Sequence, residues 1–133
     1  MILDSQLIYS DAQAITSVGN TDSTNIIDQL SAGDAYESMF ITIQVETAFT
    51  SAGAGTLAVN LLIDSDVAFG TATTVPLVAA TALANLTDGK VLFKGRVPFG
   101  MKRYRKLQYV VGTAAMTGGK IDAMEVTDVQ TNR

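Results

Sequence analysis

The chain contains no cysteine, no histidine and no tryptophan. Without cysteine there are no disulfides, no thiolate metal sites and no thiol nucleophile. Without histidine the usual general base near neutral pH is missing, together with the commonest metal-binding side chain. Serine–histidine and cysteine–histidine catalysis are therefore excluded, and only carboxylates, lysines and tyrosines in tuned pockets are left for chemistry. The longest weakly polar stretch, Val75 to Leu86, is broken by Pro76, Thr81 and Asn85 and is too short to span a bilayer. The start, Met1 to Gln6, has Asp4 where a signal peptide needs positive charge, so the chain is expected to fold in water where it is made.

Positive charge is missing from the first 89 residues, which hold ten carboxylates. All nine basic residues lie from Lys90 onward, against Asp122, Glu125 and Asp128. The net charge of −4 thus divides into −10 before Lys90 and +6 after it. Either the two halves interleave on folding and the asymmetry cancels, or a bipolar surface orients the subunit against a charged neighbour.

What is abundant is period-two alternation. Met39, Ile41, Ile43 and Val45 alternate with Phe40, Thr42, Gln44 and Glu46, and Leu57, Val59, Leu61 and Ile63 with Ala58, Asn60 and Asp64. Leu107, Tyr109 and Val111 oppose Lys106 and Gln108; Ile121 and Ala123 lie between Lys120, Asp122 and Met124; Val91, Phe93 and Val97 run against Lys94 and Arg96. Such alternation puts one face of a strand in a core. Glycine- and Asx-rich clusters at 18–22, 31–34, 51–55, 88–89 and 117–119 read as turns. Strands between turns, with no long 3.6-residue period, predict an all-β antiparallel sandwich. A length of 133 residues makes it a single domain over 1–133, with a polar tail at 128–133. The alanine-rich stretch 77–86 reads as irregular or a weak strand.

Four motifs invite chemical readings. Gly53-Ala54-Gly55-Thr56-Leu57-Ala58 matches a dinucleotide glycine fingerprint, but a strand follows where a helix is required, so it reads as a hairpin loop. Asp64 and Asp66 end a strand and read as a solvated turn in preference to a calcium site, which needs six or more oxygens. Lys102-Arg103-Tyr104-Arg105-Lys106 is a basic cluster with an aromatic. Because the protein as a whole is acidic, the cluster is expected to make salt bridges to the acidic half or to a neighbouring chain, not to bind nucleic acid. Alternation places Arg103 and Arg105 on the side of Leu107, with Tyr104 and Lys106 on the other. The aromatics are dispersed and read as core.

The opening Met1-Ile2-Leu3-Asp4-Ser5-Gln6-Leu7-Ile8-Tyr9-Ser10-Asp11-Ala12-Gln13-Ala14-Ile15-Thr16 resembles the start of the Bbp16-like family of phage capsid cement proteins. The stretch from Val97-Pro98-Phe99-Gly100 through Arg103-Tyr104 to Val111-Gly112, and Thr117-Gly118-Gly119-Lys120-Ile121 followed by Ala123, are similar to the same family; Thr50 to Leu86 is not matched. The resemblance implies a jelly-roll subunit on the outer capsid surface of a tailed-phage head, made in the host cytoplasm. Its partners would be the major capsid protein and further copies of itself in a homo-oligomer. It implies no catalytic residues, no cofactor and no membrane. On that reading the candidate interface residues are Arg103, Tyr104, Arg105 and Lys106, with Ile2, Leu3, Leu7 and Ile8 as an arm over 1–8 for strand addition. An ordinary edge strand is the competing reading of that arm. Two rival functions are a carbohydrate-binding jelly roll on a virion surface, and a glycosidase with two facing acids about 5–9 Å apart.

Overall fold

The computed structural model describes residues 5–33 and 39–127. A 3-10 turn at Ser5–Leu7 leads into nine strands among the described residues: β1 (Ile8–Ala14), β2 (Gly19–Asp22), β3 (Ile27–Asp28), β4 (Phe40–Ser51), β5 (Thr56–Asp64), β6 (Thr73–Ala82), β7 (Val91–Arg96), β8 (Tyr104–Gly112) and β9 (Met116–Val126). One sheet has the order β1-β9-β4-β7; the other has β2-β8-β5-β6, with β3 also pairing β8. The antiparallel sandwich expected from the alternation is therefore present.

The pairing is nested. First strand pairs last, β1 with β9; inside that, β2 and β3 pair β8, β4 pairs β7, and β5 pairs β6, all antiparallel. Two further ladders, β4 with β9 and β5 with β8, join these ribbons into sheets. The β1–β2, β4–β5, β6–β7 and β8–β9 connections consequently gather at one end of the sandwich. The β3–β4, β5–β6 and β7–β8 connections gather at the other, where the chain also approaches β1 and leaves β9.

Alternation explains the core. Ile41, Ile43, Val45, Leu57, Val59, Leu61, Leu107, Tyr109, Ile121 and Ala123 are fully buried between the sheets. Each large side chain removed from water in this way contributes about 1.5–3 kcal/mol. Tyr9 joins them from β1.

Three sequence expectations are corrected. Gly19–Asp22 is strand β2, not a turn, because its backbone finds Val111 to Gln108 of β8; tertiary pairing overrides turn propensity. Residues 117–119 lie inside β9. Gly119 has φ +132, and a Cβ there would stand 2.3 Å from Cδ1 of Phe49. Of the two readings of the alanine-rich stretch, the strand holds as far as Ala82, paired along β5 as the end of β6, and a 3-10 turn follows at Leu83–Asn85. Pro76 is tolerated there because β6 is an edge strand. Val91, expected inside, is 45% exposed, because the β4–β7 register shifts between Ile43 and Gln44.

Candidate functional site

The basic cluster straddles the start of β8, and the structure divides it. Arg103 lies just before the strand, where its Nε and Nη2 donate to the two oxygens of Asp28 at 2.9 and 3.0 Å. It does not share the inward face with Leu107; its guanidinium stands half-exposed over the Tyr104 ring, 4.8 Å from the centroid. Lys106 faces outward, donating to Asp22 at 2.9 Å and lying 4.4 Å above the Phe69 ring. Asp22 and Asp28 come from the acidic half of the chain, so around β8 the two halves interleave and neutralise each other. Asp28 is held below the usual carboxylate range, chiefly by the Arg103 hydrogen bonds and then by the Leu30 amide.

Arg105 points inward and is 3% exposed, which removes it from the candidate interface. Its Nε and Nη2 donate to the two oxygens of Glu125 at 2.5 and 2.7 Å, and its Nη1 donates to Gln29 Oε1 at 2.5 Å. The Tyr9 hydroxyl donates to Glu125 Oε1 at 2.5 Å. Burial, then the Glu125 charge, pushes the Tyr9 phenol well above its ordinary range. Three buried side chains from β1, β8 and β9 thus form one polar cluster with the half-buried Gln29 of the β3–β4 connection. Sequence reasoning missed it, although the signal was there: extending the Ile121–Ala123 alternation puts Glu125 inward, opposite the inward Arg105.

A second buried group ties β1 to the other sheet. The Tyr109 hydroxyl meets Ser10 Oγ at 2.7 Å, and Ser10 donates to Gln13 Oε1 at 2.6 Å. The β1–β9 register shifts between Ser10 and Gln13, and Ala12 inside the shift has φ 49. That irregularity brings Gln13 round, so that its Nε2 donates to the Asp22 carbonyl at 2.9 Å.

Asp64 is not a solvated residue. It is buried, and its oxygens accept the Asp66 amide at 3.2 Å and the Thr71 amide at 2.9 Å, so it closes the β5–β6 connection. Burial pushes its carboxyl up, but the amides of Thr71, Asp66 and Ser65 and the Thr71 hydroxyl outweigh this and hold it below the usual range. The unfolded chain therefore takes up this proton first as pH falls. The Asp64 contribution to stability is complete above the ordinary value of 3.8 and is lost as pH falls through the lower folded value. Acid titration of unfolding should show a shallower loss for Asp64→Asn than for the wild type; parallel curves would remove Asp64 as a source.

Of the candidate arm, Leu7 packs against the core and Ile8 opens β1 as an edge strand on β9. Ile2 and Leu3 lie outside the described residues, as does the tail from 128. Beside the arm, Ser5, Gln6, Asn25, Ile26, Asp28 and Leu30 line an open groove of about 420 Å³. Its carboxylate, Asp28, is bound by Arg103. Among the described residues no group of three or more acids is arranged to hold a metal.

The end of the sandwich that holds the β3–β4, β5–β6 and β7–β8 connections exposes large apolar side chains: Leu30 is 76%, Val67 55% and Phe99 69% exposed. Nothing periodic in the sequence marks these positions, since each is a loop residue.

No curated protein matches the chain. A family model described as Bbp16 matches residues 9–125, which run from the buried Tyr9 to the buried Glu125 and include residues of all nine strands; the chain belongs to the Bbp16 family.

Proposed function

We propose that this protein is a capsid cement protein. It binds the outer surface of a tailed-phage head as a homo-oligomer and stabilises joints between major capsid subunits without catalysing a reaction. The family match carries the reading, because it points to a phage-related structural protein. The nested strand pairing supports taking the sandwich as a jelly roll, an eight-stranded double-sheet design used by capsid domains. The interior fits a structural role too: the buried acids Glu125 and Asp64 are engaged by donors of the chain itself. An interface of standard size buries about 1,600 Å², and many symmetry-related copies add their effects across the shell.

The test is co-sedimentation of the purified chain with mature heads that lack it. Saturable retention, with a rise in the temperature at which heads release DNA, is expected; absence of retention overturns the proposal. A chain lacking residues 1–6 retains all of β1 and is expected to fold, so its loss of retention would assign the contact to the segment that carries Ile2 and Leu3. Retention equal to wild type would exclude Ile2 and Leu3 from the contact.

A further inference from the structure

We propose that the loop end of the sandwich, with Leu30, Val67 and Phe99 at its tips and Arg96 and Lys102 beside them, docks a protein surface that presents apolar side chains flanked by carboxylates. The inference rests on the capsid reading and names the face by which the chain meets the shell.

The three loops form one surface. The Gln29 amide donates to the Arg103 carbonyl and the Gly33 amide to the Met101 carbonyl, both at 2.8 Å, so the loop after β3 lies along the one before β8. Lys102 Nζ reaches Thr73 Oγ1 at 3.3 Å, and Asp64 stands opposite Tyr104 in the β5–β8 ladder, which joins the β5–β6 loop to the same place. Each loop exposes one large apolar side chain, more than half of it in solvent.

Leu30 is the informative residue. Its φ is 72, in the left-handed region, where a branched aliphatic chain is disfavoured and asparagine or glycine is at ease. Its side chain adds little to the core, being 76% exposed. The conformation is fixed by the Leu30 amide donating to Asp28 Oδ1 at 2.8 Å, while Arg103 clamps the same carboxylate. A strained backbone holding an apolar side chain out in water opposes stability, and such outliers mark functional positions. The tip is thereby ordered before any partner arrives, which lowers the entropy lost on docking.

Charge selects the partner. Arg103, Arg105 and Lys106 each have a carboxylate, but Arg96 and Lys102 have none among the described residues. Arg96 instead lies 5.3 Å from the Phe99 ring centroid. An arginine stacked on an exposed aromatic is a common anchor in protein interfaces. A nucleic acid fits less well, since leucine and valine offer nothing to phosphates and the net charge of −4 repels a polyanion at range.

The experiment compares wild type with Leu30→Asn, Phe99→Ser and Arg96→Glu for retention on heads lacking the protein, alongside thermal unfolding of each. Leu30→Asn is expected to melt at or above the wild-type temperature, because asparagine accepts the left-handed conformation, yet to bind at least about tenfold more weakly. Phe99→Ser and Arg96→Glu are expected to fold normally and show the same loss. Wild-type retention by all three folded variants overturns this surface while leaving the capsid reading intact. Failure of the wild type itself to be retained overturns both. Salt-dependent wild-type retention on DNA that Arg96→Glu abolishes would replace the protein partner with a nucleic acid.

Discussion

Replacing Glu125 with alanine is expected to lower the stability of the sandwich by about 3–5 kcal/mol, a large share of what a domain of this size possesses. The substitution leaves Arg105, 3% exposed, as a buried cation without its counter-ion, and removes the acceptor of the Tyr9 hydroxyl. Gln29 still accepts one Arg105 donor, so the guanidinium is not wholly orphaned. Water cannot compensate without opening the sheets, since Tyr9 is fully buried beside the pair. The effect should appear as a lower urea midpoint at constant slope. Removing the whole cluster should be much milder than breaking it: Tyr9→Phe, Arg105→Met and Glu125→Leu together are expected to recover most of the loss, because no charge then stays unpaired. A single substitution costing under about 1 kcal/mol would show the pair to be reached by solvent.

Gly119→Ala is expected to cost about 3 kcal/mol or more through a different route. The new Cβ would stand 2.3 Å from Phe49 Cδ1 and 2.5 Å from its Cγ, atoms near the root of the ring, which cannot swing aside as a chain end would. Phe49 is 5% exposed and its amide is tied to the Leu86 carbonyl at 3.0 Å, so the backbone resists retreat. The φ of +132 adds backbone strain for any residue with a side chain. The neighbouring Gly118 is a useful contrast: a Cβ there would lie 3.1 Å from Thr50 Oγ1 and its φ is outside the left-handed region, so Gly118→Ala should be milder. A double-mutant cycle isolates the clash. Phe49→Ala alone should cost about 3–5 kcal/mol, and adding Gly119→Ala should then cost far less than it does in the wild type. Additive losses would place the whole effect in the backbone.

The fold was legible where burial on one face imposes alternation. Ile41 to Val45, Leu57 to Ile63, Leu107 to Val111 and Ile121 to Ala123 all face the core as read. It was illegible where pairing partners, remote in sequence, decide the outcome: Gly19, Asn20 and Asp22 are poor strand residues that β8 recruits. The basic cluster was legible as a set of ion pairs with the acidic half at Asp22 and Asp28. Arg105 was misread because a charged residue at an inward position suggests a surface until its inward counterpart is found. The exposed loop tips had no signature, since solvent exposure of Leu30 and Phe99 follows from how three loops meet and from a backbone angle.

Pairing the first strand with the last also sets an order of events during synthesis. Residues of β1 emerge from the ribosome more than a hundred positions before Lys120, Ile121, Ala123 and Met124, their partners on β9. At about 5–20 residues per second, β1 waits several seconds or more with its polar ladder unmet, and the Tyr9 hydroxyl waits as long for its carboxylate. Closure of that sheet waits for the last strand and is dominated by long-range contacts, a feature of slow-folding topologies. A nascent chain stalled before Glu125 would consequently display an unpaired strand to whatever factors attend the tunnel exit.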